Sequence, residues 1–237
     1  MSTNLRKIKK HIPNTISCLN LFCGCLSIVC AFEGRLDFAA FLILFAAGLD
    51  FFDGFAARLL KAYSEMGKQL DSLADVVSFG VAPASIMYIL LISSAQFPFG
   101  SLIASAAYII AVFSALRLAK FNIDTRQSEV FIGLPTPANA IFICSFALIS
   151  SDEAYVFVNN VFLLLAATVI LSFLLVAELP LFSLKFKSFD WKSNKIRYIF
   201  IAISILVLLI MHWAGLALII LIYIALSIII LLKKRMS

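Results

Sequence analysis

The chain has 237 residues, 63% of them hydrophobic and 14% charged, with a mean hydropathy of +1.06. Soluble globular domains run at about 45–50% apolar and about 25% charged, so this composition excludes an ordinary water-soluble protein and indicates a polytopic membrane protein. The net charge of +6 points to anionic lipid headgroups, not to nucleic acid.

In chain order, residues 3 to 12 place Leu5, Ile8 and Ile12 on one helical face with Arg6, Lys9 and Lys10 elsewhere. That pattern predicts a short amphipathic helix lying on the membrane surface, ended by Pro13 and Asn14. No A-x-A-like cleavage site follows, so no removable signal peptide is expected. Apolar runs approaching the roughly 20 residues needed to span a bilayer then fall at 14–32, 37–59, 70–93, 98–118, 135–151, 154–180, 197–212 and 215–232. Breakers separate them: "EGRLD", "QFPFG", "GLPTP", "SSDE", "ELPL" and "HWAG". The polar stretches between are loop-sized, which predicts one all-α membrane domain of about eight transmembrane helices. Residues 14–180 form its six-helix core and 181–237 add two C-terminal helices.

With the N-terminus inside, every Lys and Arg except Arg35 falls on a cytoplasmic segment, as the positive-inside tendency requires. Both termini are therefore expected in the cytoplasm. The five cysteines lie within apolar runs, where they read as small packing residues, and no disulfide is expected. His11 and His212 fall in a basic tail and an outer turn, so neither is expected in catalysis. Trp191, Trp213 and Tyr198 suit the membrane interfaces.

The chemistry concentrates in "DFFDGFAARLLKAYSEMGKQLDSLAD", residues 50–75. Asp50 and Asp53 are three apart at the end of the second helix, and Asp71 and Asp75 are four apart at the start of the third, so each pair shares a face. Unpaired carboxylates near hydrocarbon cost several kcal/mol. Two solutions are open. Arg58, Lys61 and Lys68 could neutralise them in a salt-bridged hairpin, or hard divalent cations could be held by an all-oxygen ligand set. Gly54 beside the acids and Gly67 in the turn leave room for phosphates or a sugar, which favours the second.

This stretch resembles the signature of the CDP-alcohol phosphotransferases, D-x2-D-G-x2-A-R-x8-G-x3-D-x3-D, through Asp50, Asp53, Gly54, Ala57, Arg58, Gly67, Asp71 and Asp75. The resemblance implies two divalent cations, Mg2+ or Mn2+, on Asp50, Asp53, Asp71 and Asp75, with Asp75 also the catalytic base. It implies that CDP-diacylglycerol is held near Gly54, Arg58, Ser64 and Gly67, and that the protein is a homodimer. Three further segments, "IPNTISCLNLFCGCLSI" (12–28), "ALRLAKFN" (115–122) and "GLPTPANA" (133–140), are similar to the integral-membrane branch that forms phosphatidylserine. That branch carries R-L-A-R-F-N; here Lys120 stands in place of the second arginine and keeps the charge without the planar fork.

Arg117, Lys120 and Asn122 offer donors for the carboxylate of an L-serine acceptor, although basic residues also simply mark a cytoplasmic helix end. Asn14 reads either as a CDP-diacylglycerol contact or as a cap of the first helix. Glu178 has no assigned role. Rival readings are another acceptor, glycerol 3-phosphate or inositol, and a cation transporter. The transporter is disfavoured because the acids cluster at one membrane edge.

Overall fold

Inside a bilayer the backbone N–H and C=O groups find no water, so an apolar run must satisfy them within itself as a helix. The computed structural model, which describes residues 3–94, 99–124, 131–182 and 190–236, has a helix in each of the eight predicted apolar runs. In order these are α1 (Thr3–Phe32), α2 (Leu36–Leu59), α3 (Glu65–Val76), a π-helical stretch (Val77–Val81), α4 (Ala82–Ser94), α5 (Gly100–Ala104) and α6 (Ile109–Ile123). There follow β1 (Phe131–Ile132), α7 (Thr136–Ile149), α8 (Val161–Val176), β2 (Pro180–Leu181), α9 (Trp191–Met211) and α10 (Ala214–Met236). The described molecule is an all-α integral membrane protein whose only strands are one two-residue pair, Phe131 opposite Leu181 and Ile132 opposite Pro180.

Among the described residues six helical stretches are long and apolar enough to cross a bilayer: His11–Phe32, Leu36–Leu59, Glu65–Ser94, Gly100–Ile123, Asn194–Met211 and Ala214–Lys233. A seventh forms if the 3-10 turns Glu153–Asn159 are joined to α8 across a 66° bend. α7, with 14 residues, extends only about 21 Å against a hydrocarbon core of about 30 Å. The predicted eight apolar segments are thus present as helices, but two of them do not have the length of a simple span.

The N-terminus departs from expectation. α1 runs unbroken through Pro13, so Pro13 and Asn14 do not end a separate surface helix. A proline has no N–H for the carbonyl four residues back, here that of Lys9; α1 nonetheless continues on both sides of it, with the Thr15 hydroxyl donating back to the His11 carbonyl at 2.8 Å. The side chains of residues 3–10, on which the amphipathic face was predicted, lie outside the described residues, as do Arg126, Lys185 and Lys187.

α3, the π-helical stretch and α4 form one continuous 30-residue helix, Glu65–Ser94. Pro83 accounts for the widened turn: its ring would crowd the carbonyl four residues back, at Phe79, and the extra residue per turn moves that carbonyl aside. Small residues let neighbours come close at this level. A Cβ on Gly24 of α1 would lie 2.5 Å from Ser78 Oγ, and one on Gly80 would lie 3.1 Å from the Ser114 Cβ of α6. The buried core runs through Ile43, Phe79, Ile86, Met87, Leu91, Ile110 and Ile143. α10 packs along α7 and α9, so the C-terminal pair is docked onto the core. All five cysteines are free thiols.

Candidate active site

α2 carries Asp50 and Asp53 on its last turns and stops at Leu59. The chain reverses through Lys61, whose φ is +50°, and restarts at Ser64, whose Oγ accepts from Gly67 N at 3.0 Å and so caps α3. This tight connection sets Asp71 opposite the α2 acids. One carboxylate oxygen each from Asp50, Asp53 and Asp71 lies within 4.8 Å of the others. Asp75, one turn on, is 8% exposed and within electrostatic reach of all three.

The cations expected of a salt-bridged hairpin are elsewhere. Among the described residues no Lys or Arg lies within 4.0 Å of these four aspartates; Arg58, Lys61 and Lys68 are exposed, and Lys68 Nζ donates to the Asn122 carbonyl at 3.5 Å. Asp71 Oδ1 is buried without a hydrogen-bond partner. An oxygen-only cluster with an orphaned buried acceptor fits a hard divalent cation, whose opposing ligands stand about 4–5 Å apart.

A cavity of about 510 Å³ opens beside the acids between α1, the end of α2 and the start of α3. Asn14, Gly54, Ser64 and Gly67 line it together with Asp53 and Asp71, so four of the five residues expected around CDP-diacylglycerol are brought together. Arg58 is not among the lining residues. The two glycines differ. Nothing stands within 4 Å of a Cβ placed on Gly54, whereas one on Gly67 would meet Asn14 Oδ1 at 2.9 Å. The space at Gly67 thus admits the α1 side chain, which is what lets α1 close one wall of the cavity.

The three residues expected to bind the acceptor are split. Arg117 of α6 is 7% exposed, its guanidinium lies 5.1 Å from the Phe121 ring centre, and its Nε has no partner. It lies within electrostatic reach of Asp75 and Asp50. Arg117 and Lys120 share the lining of a second, small cavity of about 20 Å³ with Ile132 and Glu178, and Lys120 Nζ is 4.0 Å from Glu178 in an exposed pair. Asn122 instead donates to Ser72 Oγ at 2.9 Å and ties the end of α6 to α3.

Two contacts to the acids come from residues that sequence reasoning missed. Ser17 Oγ donates to Asp53 Oδ2 at 2.6 Å, and Asn20 Nδ2 donates to Asp75 Oδ1 at 3.4 Å, both buried on α1. Their signal was present: Asn14, Ser17, Asn20, Gly24 and Ser27 recur at three- and four-residue spacing along an otherwise oily helix. Thr136 and Asn139 of α7 and Ser114 of α6 are likewise fully buried with unpartnered polar atoms.

Residues 10–176 match the family model described as CDP-alcohol phosphatidyltransferase. The chain belongs to this family. Among its curated relatives within the CDP-alcohol phosphatidyltransferases is the CDP-diacylglycerol–serine O-phosphatidyltransferase of Helicobacter pylori, 32% identical over 195 residues, 81% of this chain and 80% of that one. The Bacillus subtilis protein of the same name is 40% identical over 127 residues, 54% of this chain and 70% of its own length. Archaetidylserine synthase of Methanothermobacter thermautotrophicus is 36% identical over 172 residues, covering 71% and 70%. As a CDP-alcohol phosphatidyltransferase the chain is an enzyme, a phospholipid-synthesis transferase held in the membrane. The family match ends at Val176, before β2, α9 and α10.

Proposed function

We propose that this enzyme transfers the phosphatidyl group of CDP-diacylglycerol to L-serine and releases CMP. The observation that carries the amino-acid acceptor is Arg117: a buried guanidinium with a free N–H, within electrostatic reach of Asp75, suits a small carboxylate bound near the reacting hydroxyl. The names of the relatives support the same acceptor.

In this reading the cavity of about 510 Å³ takes the cytidine nucleotide and its pyrophosphate, with Asn14, Gly54, Ser64 and Gly67 against them, and Arg58, exposed on the last turn of α2 outside the lining, is the cation nearest in sequence to Gly54. Asp75 accepts the proton of the serine hydroxyl. The serine oxygen forms a bond to the lipid-side phosphorus as the bond from that phosphorus to the bridging oxygen breaks, and CMP leaves with that oxygen. Asn20 orients Asp75, and Ser17 orients Asp53. Arg117, with Lys120 at the mouth, holds the acceptor carboxylate; Asn122 positions α6 against α3. Asp50, Asp53, Asp71 and Asp75 would hold two divalent cations, Mg2+ or Mn2+, which when bound neutralise the charge of the pyrophosphate. All eight apolar segments cross the membrane, with both termini and the cavity on the cytoplasmic side, and the enzyme works as a homodimer.

The deciding assay supplies labelled CDP-diacylglycerol to the purified enzyme with L-serine, glycerol 3-phosphate or inositol, and resolves the product lipids. Phosphatidylserine and stoichiometric CMP are expected. Product from glycerol 3-phosphate or inositol alone would keep the family chemistry and overturn the serine acceptor. Orientation is read by impermeant thiol labelling in a background without the native cysteines: Gly34→Cys and Ser151→Cys should label from outside, and Lys68→Cys should not.

A further inference from the structure

The family match stops at Val176, yet the wall of the Arg117 cavity is fastened by residues far beyond it. That wall includes Ile132, Leu175, Val176 and Glu178. Ile132 is fixed by the pairing of β1 with β2, and the next residues are laced to the end of α8: Gly133 N donates to the Leu179 carbonyl at 3.0 Å and Leu134 N to the Leu174 carbonyl at 2.8 Å. Gly133 holds φ +79°, and a Cβ there would stand 2.5 Å from the Leu175 carbonyl oxygen, so the backbones touch. β2 continues into Phe182, and Phe182 is where α10 takes hold.

Tyr223 of α10 donates its hydroxyl to the Phe182 carbonyl at 2.9 Å. Phe182 N donates to Ser227 Oγ at 3.4 Å, so one residue is gripped at both backbone groups by side chains four apart on one helix face. Ser227 Oγ in turn bonds the Tyr223 carbonyl at 2.8 Å. The ring of Phe182 lies 4.9 Å from that of Tyr223 and 5.8 Å from that of Phe200 on α9, which joins both C-terminal helices to the same point. Tyr223 is 6% exposed and lies within electrostatic reach of Arg117. An ordinary membrane-anchoring helix needs none of this: a buried tyrosine and serine spent on one backbone position cost desolvation that lipid-facing leucines would avoid.

We propose that α10, through Tyr223 and Ser227, is a positioning element for the acceptor site, holding the Phe182–β2–β1 strap so that the pocket around Arg117 keeps its shape. The proposal rests on Arg117 being the acceptor contact. It assigns to the segment beyond the family match a role in acceptor affinity, separate from anchoring and from the chemistry at the aspartates. Loosening the strap should weaken capture of the small acceptor while leaving the nucleotide cavity, formed by α1, α2 and α3 on other elements, unaltered.

The test compares Tyr223→Phe, which removes one hydroxyl and keeps the ring, Ser227→Ala, Arg117→Ala and the double variant Arg117→Ala/Tyr223→Phe in the full-length enzyme, with KM measured separately for L-serine and CDP-diacylglycerol. Tyr223→Phe and Ser227→Ala should each raise the serine KM by about two- to tenfold, the worth of one hydrogen bond, with kcat and the CDP-diacylglycerol KM within about twofold. The double variant should be no worse for serine than Arg117→Ala, because the tyrosine acts through that site. If Arg117→Ala raises the serine KM and neither α10 variant does, the positioning role is overturned and the acceptor reading stands. If the α10 variants lower kcat or both KM values in parallel with a lower melting temperature in detergent, α10 is a structural brace and the proposal fails. If Arg117→Ala leaves the serine KM unchanged, the acceptor reading itself falls.

Discussion

On the proposed reading the two ends of the reaction are built in opposite ways. The cavity assigned to the nucleotide measures about 510 Å³ and lies between the first three helices, with nearly all its chemistry within residues 50–75 plus one face of α1. The region assigned to the acceptor surrounds Arg117, a buried cation far in sequence from the acids, where α6, β1 and the end of α8 leave a cavity of about 20 Å³. A large ligand carrying a pyrophosphate can be held by many contacts on one contiguous motif, whereas a small acceptor offers few atoms and depends on a few charged contacts such as that assigned to Arg117.

The largest effect should come where the two sides meet. Asp75→Asn keeps size and removes the proton acceptor, so CMP release should fall by about 100- to 10,000-fold with an unchanged circular dichroism spectrum; turnover within a few-fold of the parent would remove Asp75 from the base role. Next is Asn20→Ala, which strips Asp75 of its α1 donor. A loss on the order of tenfold or more in kcat, the scale of a hydrogen bond to a charged group, is expected with both KM values little changed. An effect confined to the serine KM would place Asn20 on the wrong side of the comparison.

Arg117→Ala should separate the sides most cleanly. The serine KM should rise roughly tenfold or more, for the loss of a charged hydrogen bond, and that of CDP-diacylglycerol much less. Serinol, which lacks the carboxylate, should be a poor acceptor for the parent and lose its disadvantage in this variant. The smallest effect on turnover belongs to Ser17→Ala, which deletes one short donor to Asp53. Its readout is the divalent-cation concentration giving half-maximal activity, which should shift by about tenfold, the scale of a hydrogen bond to a carboxylate, with kcat and the serine KM little changed. A chelator should abolish activity in every variant, and Mg2+ or Mn2+ should restore it.

Legibility followed the same divide. The aspartates could be read because helical spacing within one hairpin converts sequence distance directly into a shared face, and Gly54 and Ser64 came with them. Arg117 was legible as a candidate donor to a carboxylate but its burial was not, and nothing in the sequence signalled that the Asn122 amide reaches Ser72 on α3. Ser17 and Asn20 were passed over because a single hydroxyl or amide on an apolar helix looks like packing until the facing helix is known. The break predicted at Pro13 is absent because, inside an apolar helix, a proline forfeits one backbone bond without ending the helix.

By itself the sequence determined that the chain lives in a membrane, which runs become helices, and that four carboxylates gather at one hairpin, since hydropathy and helical periodicity are local properties. Only the tertiary structure decided that, among the described residues, no lysine or arginine forms an ion pair with those acids, that α1 supplies hydrogen-bond donors to Asp53 and Asp75, and that the far C-terminal helix holds Phe182 at the end of the strap beside the Arg117 cavity. Those facts depend on which helix faces join across the bundle. Side chains more than a hundred residues apart meet there through packing that no local pattern encodes.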